Sequence, residues 1–333
     1  MNEPEKKVHF TPLIDLATVE NHGYDPSKLS YGDRRDGLLY RYTDQIKLAV
    51  NVAYATGRPL LVLGPSGSGK SSLAFNLARK LGRKYYEFVV TSRTQAKDLC
   101  YRFDAVRRLG DTRSQSAPAD PARTNESYYP YLEPGPLWWI IKSKDAVTRG
   151  SGNQQHKAID TCRWKPESEP EDIQSVLLID EIDKAEPDFP NNLLVPIGSW
   201  QFRVDEIEHD VFLESQSQKY DPAQHPLIII TSNRERELPE TFHRRCIVLE
   251  MDALGEEDLI QIATETFEEN LQQVSNVNLE LYAKVANKMV EAAGSKGVSV
   301  AEYIDAIRAI RELGIKEADY LNIILKTSAV PGR

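Results

Sequence analysis

Residues 64–71 have the composition and spacing of a phosphate-binding loop. They read Gly-Pro-Ser-Gly-Ser-Gly-Lys-Ser and match the pattern GxxxxGK followed by Ser or Thr. Glycines let the backbone turn its N–H groups toward phosphate oxygens. Lys70 is expected to reach the β- and γ-phosphates of a nucleotide, and the Ser71 hydroxyl to take one Mg²⁺ position. The alternative is a glycine-rich turn that binds no ligand. The residues predicted to bind the nucleotide are Gly64, Pro65, Ser66, Gly67, Ser68, Gly69, Lys70, Ser71 and Ser72.

Two acidic residues, Asp180 and Glu181, follow an apolar run at residues 176–179. Open α/β sheets bind their ligands beyond the carboxyl ends of the strands, where these two residues are expected. Asp180 is predicted to hold Mg²⁺, through a water molecule, as a hard oxygen ligand. Glu181 is the candidate to polarise an attacking water. The alternative is a solvated acidic turn after a core strand.

Three polar residues, Thr231-Ser-Asn233, directly follow the apolar run at 226–230. Asn233 offers both a hydrogen-bond donor and an acceptor, so it could touch a γ-phosphate or the attacking water. Strands often end in Ser or Asn, so this signal alone does not separate a catalytic role from an ordinary strand end.

Arg244 and Arg245 end a short predicted helix that begins near Glu237. A guanidinium supplied by a neighbouring subunit can stabilise the charge that develops during phosphoryl transfer. The alternative is a basic helix end that the helix dipole favours. The two interpretations are about equally supported by these residues alone.

These residues must be positioned by short buried strands that alternate with helical patterns. The predicted strands lie at 59–63, 85–90, 175–179, 226–230 and 246–249. Between them, apolar residues recur at three- and four-residue spacing, as in Leu73, Leu77 and Leu81. The alternation predicts an α/β fold with a mostly parallel sheet in three layers.

The chain divides into three predicted parts: an irregular arm at 1–37, an α/β domain at 38–252, and an all-helical domain at 253–333. Within the α/β domain, residues 110–131 and 143–175 are expected to be loop-like, whereas 135–141 begins a buried helix around Trp138 and Trp139. In the helical domain, Ser299 and Glu302 form a capping-box pattern, and 317–326 is expected to form a last helix. The long polar segment 151–172 indicates a partner-specific insertion.

Bulk composition is that of a soluble globular protein with a net charge of −9, from 41 basic and 50 acidic side chains. This charge makes nucleic acid an unlikely partner, and no apolar run is long enough for membrane insertion. The segment from Arg79 to Arg113 nevertheless carries ten basic and four acidic residues. It could form a pore or nucleic-acid surface, or a solvated face or subunit contact. Three scattered cysteines and a polar start predict a cytoplasmic protein.

Together these motifs, in this order and followed by helices, resemble those of the AAA+ ATPases. Their amino-acid sequences resemble the MoxR-like branch more specifically. The residues that carry the resemblance are GPSGSGKSS (64–72), DLCYRFDAVRRLGD (98–111), YLEPGPLWW (131–139), LLIDEIDKAEPDFPNNLLVPI (177–197) and ITSNRERELPETFHRRCIVLEM (230–251). The resemblance spans residues 38–326. It implies a P-loop AAA+ core with a helical lid, a pre-sensor hairpin after residue 193, and ATP bound between subunits of a ring that is usually hexameric.

On that pattern Lys70 and Ser71 correspond to Walker A, Asp180 and Glu181 to Walker B, and Asn233 to sensor I. Arg245 corresponds to the arginine finger, with Arg244 as its neighbour. Many relatives carry a sensor II arginine at the start of a lid helix, but residues 297–303 contain none. Arg308 is a possible substitute.

Three functions follow as hypotheses. The first is a ring ATPase that remodels a partner protein, which the resemblance suggests is of the von Willebrand A type. The second is a slowly hydrolysing, nucleotide-gated signalling or scaffold module, for example in a bacterial conflict system; the missing sensor II arginine favours it. The third, a DNA motor, depends on the basic segment.

Overall fold

The computed structural model describes residues 11–16, 40–114, 128–167, 174–213, 221–267, 275–294 and 297–313. Within these ranges the chain forms nine strands: β1 (Leu60–Leu63), β2 (Lys84–Val89), β3 (Tyr101–Phe103), β4 (Leu132–Pro134), β5 (Ser175–Asp180), β6 (Gln201–Val204), β7 (His209–Phe212), β8 (Leu227–Ser232) and β9 (Ile247–Glu250). It also forms eleven α-helices over the same ranges: α1 (Asp44–Thr56), α2 (Lys70–Lys80), α3 (Ala96–Cys100), α4 (Ala105–Ser114), α5 (Pro136–Ile141), α6 (Ser143–Val147), α7 (Phe189–Ser199), α8 (Glu240–His243), α9 (Glu256–Phe267), α10 (Asn276–Ala293) and α11 (Val300–Leu313). None of the helices so described is both long and apolar enough to cross a membrane.

The central sheet is parallel, with five strands in the order β2-β5-β8-β1-β9. Its register pairs Phe88 with Ile179 and Ile179 with Ile230. All residues of β1, β5 and β8 are buried, which explains why these strands read as unbroken apolar runs rather than as alternating patterns. All five predicted strands are found within two residues of their predicted limits. The α/β fold followed by C-terminal helices is therefore confirmed.

Two predicted loops are partly helical. The loop predicted at 110–131 begins inside α4, which runs to Ser114, and the loop predicted at 143–175 contains α6. The second segment also packs along the sheet edge, where Tyr85 N donates to Trp164 O at 2.8 Å and Arg163 N donates to Tyr85 O at 2.8 Å. A polar composition does not prevent such backbone pairing, so composition alone gave the wrong prediction there.

Two small antiparallel sheets were not predicted from local patterns. One pairs β3 with β4, and the other pairs β6 with β7 as a hairpin after α7. The second hairpin lies where the resemblance implies one. The aromatic side chain of Trp138, predicted to be core, is fully buried and lies edge-on to Phe202 of β6.

The described residues divide into two compact units. One contains Tyr42–Leu61 and Leu77–Leu249, and the other contains Val62–Asn76 together with α9, α10 and α11. The three helices share an apolar core that includes Tyr282, Val285, Tyr303 and Ile307. The predicted helix start at Ser299 is confirmed, since Tyr303 N donates to Ser299 O at 3.0 Å.

Part of the predicted arm and of the helical domain falls outside the description. From the arm, residues 11–16 are described: Ile14 is buried, and its backbone exchanges hydrogen bonds with the Asn51 side chain at 2.8 and 3.1 Å. The last helix, predicted at 317–326, lies beyond the described residues. The domain limits predicted at 37/38 and 252/253 remain predictions.

Candidate active site

The predicted phosphate loop lies between the end of β1 and the start of α2, at Lys70. Gly67 has a φ of 80°, in the left-handed region that favours glycine. The Lys70 side chain is buried, and its Nζ donates to Gly64 O at 2.9 Å and to Pro65 O at 2.6 Å. The Ser68 hydroxyl donates to the same Pro65 carbonyl at 2.9 Å. The ammonium group and the N-terminus of α2 thus lie within one tight loop, which is the arrangement that phosphate binding requires.

Residues from the start of α11 and from the segment after β9 pack on this loop. A Cβ built on Gly67 would lie 2.6 Å from Ser299 Cα, and one on Gly64 would lie 2.5 Å from Met251 O. Gly297 packs against Ala253, since a Cβ built on Gly297 would lie 3.1 Å from Ala253 Cβ. Larger residues at positions 64 and 67 would therefore clash with these neighbours as well as with a bound phosphate.

The sensor II position implied by the resemblance falls in this contact. Residues 297–299 present backbone and a serine to the loop, where many relatives place an arginine. Arg308 lies nine residues beyond Ser299 on α11, or about 13 Å along the helix axis at 1.5 Å per residue. It is therefore not at the helix start.

Tyr40, which the sequence did not single out, also lies beside the loop. Its ring is 3.4 Å from a Cβ position on Gly69, and its hydroxyl contacts the Met251 sulfur at 3.9 Å. Burial raises the pKa of this phenol well above its ordinary value, so Tyr40 is neutral. It therefore presents an aromatic face to the phosphate loop.

Asp180 and Glu181 lie at the carboxyl end of β5, and one hydroxyl group holds both. Thr231 Oγ1 at the end of β8 donates to Asp180 Oδ1 at 2.5 Å and accepts from Glu181 N at 2.9 Å. Asp180 and Thr231 are both buried. The predicted carboxylate pair is therefore positioned by a residue 50 positions away in the chain.

Glu181 adopts a left-handed backbone conformation, with φ 61° and ψ 47°. A non-glycine residue in this conformation costs of order 1–3 kcal/mol and persists where its surroundings determine it. Its carboxylate pairs with Lys184 Nζ at 2.9 Å, and this hydrogen bond raises the pKa of Lys184. The left-handed conformation of Glu181 therefore ends the extended backbone of β5 at Asp180.

Asp183, three residues after Asp180, holds the segment that contains Asn233. Its Oδ2 accepts from Asn233 N at 3.1 Å and from Glu235 N at 2.9 Å. The carboxylate is buried, and its Oδ1 has no hydrogen-bond partner in the described part of the chain. The backbone of Asn233 is thereby held beside Asp183. Its role at the γ-phosphate stays a prediction.

Arg244 and Arg245 follow α8 and differ in their surroundings. Arg244 forms an ion pair with Glu240, one helical turn earlier. Arg245 is exposed, and its side chain makes no hydrogen bond or ion pair with any residue that the structure describes. The two arginines are therefore not equivalent: one is engaged by its own helix, and the other is available to a second molecule.

Sheet topology separates these arginines from the other motifs. Asp180–Glu181 and Asn233 follow the carboxyl ends of the parallel strands β5 and β8, and so lie at one edge of the sheet. Arg245 instead precedes β9, at the opposite edge, where Ile247 N donates to Pro59 O before β1.

The residues present fit a nucleotide and its cation. The loop supplies backbone N–H groups, an ammonium and a helix N-terminus for phosphates, and the Ser71 hydroxyl supplies a hard oxygen atom. Asp180 supplies a carboxylate, the kind of ligand that Mg²⁺ prefers. Among the described residues there is no cluster of three or more His, Cys, Asp or Glu that could hold a metal unaided.

Comparison with known proteins agrees with this geometry. The family model of the AAA domain (dynein-related subfamily) matches residues 59–246, a range that contains every motif described above. No curated protein matches the chain. Two solved structures of RuvB mutants from Thermotoga maritima are similar at 14% and 15% identity, with TM-scores of 0.43 and 0.42. The two matches cover 85% and 84% of this chain. The chain in turn spans about two thirds of the length of each solved structure, 67% and 66%.

Proposed function

Because this chain belongs to the AAA domain (dynein-related subfamily) family, we propose that it is an ATPase of the MoxR-like branch that hydrolyses ATP between the subunits of a homo-oligomeric ring. A hexamer is the expected ring. The energy of hydrolysis would remodel or regulate a partner protein, and a von Willebrand A type protein is the partner class that the resemblance suggests.

In this proposal the motifs have separate roles. Lys70 and the loop backbone bind the phosphates, while Ser71 and Asp180 would hold a Mg²⁺ ion, which would neutralise phosphate charge. Glu181 polarises the water that attacks the γ-phosphorus and accepts its proton. The bond from that phosphorus to the β-phosphate oxygen breaks, which releases ADP and inorganic phosphate. Asn233 contacts the γ-phosphate or that water. Catalysis of this kind depends on positioning and charge stabilisation more than on covalent chemistry.

The observation that carries the proposal is the exposed Arg245 guanidinium at the sheet edge opposite to Asp180 and Glu181. A chain that completed its own site would place its transition-state arginine at the same edge as Asp180 and Glu181. An arginine at the far edge instead suits the nucleotide of a neighbouring copy, and such an arginine contributes about 10³–10⁵-fold to turnover where it acts.

The paired arginines provide a matched test. Arg245→Ala should lower ATP turnover by about a thousandfold or more and leave the ATP dissociation constant nearly unchanged, because phosphate binding rests on Lys70 and the loop. Arg244→Ala removes the neighbouring charge, which is already paired with Glu240, and should retain most of the turnover. Normal turnover in Arg245→Ala would remove the ring mechanism, and loss in Arg244→Ala alone would exchange the two roles.

The structure weakens the DNA-motor alternative, because part of the basic segment is internal. Arg83 is buried, and its guanidinium donates to the carbonyls of His225 and Pro222 at 2.9 and 3.0 Å. Arg79 is also buried and lies over the Trp164 ring at 4.9 Å. These residues do not contribute to a phosphate-binding surface. Turnover that rises on addition of duplex or single-stranded DNA would restore this alternative.

One observation favours the slowly hydrolysing switch as a second candidate. The start of α11 packs directly on the phosphate loop but brings no arginine to it. Such a lid could retain nucleotide without accelerating its hydrolysis. This alternative predicts slow release of a fluorescent ATP analogue together with a very low basal turnover; fast basal turnover would exclude it.

A further inference from the structure

Arg58 binds the backbone of residues 244–246, which includes Arg245, the arginine proposed to act in a neighbouring subunit. Its Nε donates to Arg245 O at 3.3 Å, and its Nη2 donates to Cys246 O at 3.0 Å. The same Nη2 also contacts Arg244 O. One guanidinium therefore engages three consecutive carbonyl groups, 186 to 188 positions away in the chain.

Arg58 is itself held from both sides. Gly57, with a φ of 68°, ends α1 and donates to Ala53 O at 3.0 Å. On the other side, Pro59 O accepts from Ile247 N at 2.8 Å, which joins the entry of β1 to the entry of β9. The guanidinium thus projects from a fixed turn between a helix and a buried strand.

The carbonyls that Arg58 binds would otherwise lack strong partners. They belong to residues 244–246, which lie after the end of α8 at His243 and before the start of β9 at Ile247. A cation near a helix C-terminus is also favoured by the helix dipole. The planar fork of arginine supplies several N–H groups in a fixed geometry, whereas the ammonium of lysine is a single point charge.

We propose that Arg58 is a positioning residue that aims Arg245 toward the nucleotide of the neighbouring subunit. The Arg245 side chain has no partner in the described part of the chain, so its direction depends on its backbone. That backbone is anchored on its two sides by buried Phe242 and Cys246 and is held by Arg58 at residues 244–246. This inference rests on the proposed function, because aiming has a purpose only if Arg245 acts in a second copy.

The alternative is that Arg58 only stabilises the fold. The two roles differ in mixed rings, because each subunit of a ring contributes one nucleotide site and one arginine to different interfaces. An Arg58→Ala subunit should keep a competent nucleotide site while presenting a misplaced Arg245. A Glu181→Gln subunit should have an inactive site but a correctly placed Arg245.

The experiment measures ATP turnover of purified full-length variants, alone and mixed 1:1. Alone, Arg58→Ala should lose at least tenfold in turnover with little change in ATP affinity, and Arg58→Lys should show a smaller loss. Mixing Arg58→Ala with Glu181→Gln should recover turnover, because about a quarter of the sites in randomly mixed rings are then intact and also face a correctly placed Arg245. Mixing Arg58→Ala with Arg245→Ala should recover nothing.

Arg245→Ala mixed with Glu181→Gln is the control for the proposed function. If this mixture also fails to recover ATP turnover, Arg245 does not act across subunits. Both the proposed function and the positioning role of Arg58 would then be wrong. If it recovers while Arg58→Ala and Arg58→Lys do not, Arg58 has only a structural role. Wild-type turnover in Arg58→Ala alone would equally overturn the inference.

Discussion

The carboxylate edge of the sheet and the arginine end of the sheet are built in opposite ways. At the carboxylate edge, defined by residues 180–183 and 231–235, polar groups bind one another within the chain: Thr231 binds Asp180 and Glu181, and Asp183 binds the backbone of Asn233 and Glu235. At the arginine end, residues 244–246, the backbone is held by Arg58, while the Arg245 side chain is exposed.

This difference indicates where the site is complete and where it is not. Buried polar networks are costly to leave unsatisfied, so the carboxylate edge is organised before any ligand binds. An exposed arginine on an anchored backbone is ready for a ligand that the chain itself does not supply. The comparison therefore supports a catalytic site whose acidic half is internal and whose cationic half comes from a second copy.

Removing the candidate water-polarising group should have the largest effect at the carboxylate edge. Glu181→Gln keeps the size of the side chain but removes its charge, so turnover should fall by about 10²–10⁴-fold. ATP affinity should be retained, because the phosphate loop is untouched. The check is single-turnover hydrolysis beside equilibrium binding of a fluorescent nucleotide. A variant that loses binding as much as turnover would place Glu181 in nucleotide binding instead.

Loss of the hydroxyl that joins Asp180 to Glu181 should have the next largest effect. Thr231→Val is nearly isosteric but removes one hydrogen bond to a carboxylate and one from a backbone N–H. At about 1–2 kcal/mol each, this should lower kcat by roughly 30–900-fold. Thr231→Ser keeps the hydroxyl and is the matched control. Equal turnover in the two variants would show that the hydroxyl does not position the carboxylates.

The support of Asn233 should have a smaller effect. Asp183→Ala removes the acceptor for two backbone N–H groups, so kcat should fall about tenfold, for roughly 1.4 kcal/mol of lost positioning. KM for ATP should change little, since Asn233 is not part of the phosphate loop. In Asp183→Asn, the side-chain oxygen can still accept from the N–H groups of Asn233 and Glu235. The amide nitrogen then takes the position of Oδ1, which has no partner among the described residues. Asp183→Asn should therefore remain active; equal loss in both variants would contradict this account.

Asp145 of α6, which belongs to neither region, provides the baseline. Asp145 Oδ2 accepts from Trp138 Nε1 at 2.8 Å and lies 3.0 Å from His209 Nε2 of β7. Burial acts to raise the pKa of Asp145, but hydrogen bonds from His209 and Trp138 outweigh it, so the pKa is lower than its ordinary value. The charged form is thus favoured by folding.

Asp145→Ala should therefore reduce the free energy of unfolding near pH 7 by about 1–3 kcal/mol with little change in turnover per folded subunit. Because the folded pKa is depressed, this stabilisation is present above the unfolded pKa of about 3.9 and is lost as the pH falls through the folded value. Denaturant unfolding at pH 7 and below pH 4 measures the difference. A gap between variant and wild type that stays constant across this range would exclude the charge as its source.

Most of the fold and half of the site could be predicted from local sequence. The strands were readable because β1, β5 and β8 are buried on both faces and therefore consist of apolar runs. The phosphate loop and the carboxylates follow these runs directly. The segment at 143–175 was predicted less well, since its pairing with Tyr85 uses backbone groups and leaves no mark on composition.

The positioning contacts could not be predicted, because they join distant residues. Thr231 meets Asp180 across 51 positions, and Arg58 meets the arginine end across more than 180. One distinction was within reach: Glu240 precedes Arg244 by four residues, the spacing of an ion pair on a helix. That spacing could have singled out Arg245 as the unpaired arginine.

The central claim, that the site is completed by a second copy, is tested most directly by ATP turnover per subunit measured against protein concentration, with Mg²⁺ and without any partner protein. The proposal predicts a specific rate that rises with concentration and then levels off as rings form, and a rate for Arg245→Ala that stays low throughout. A wild-type specific rate that is already maximal at concentrations where sedimentation shows only monomers would contradict it.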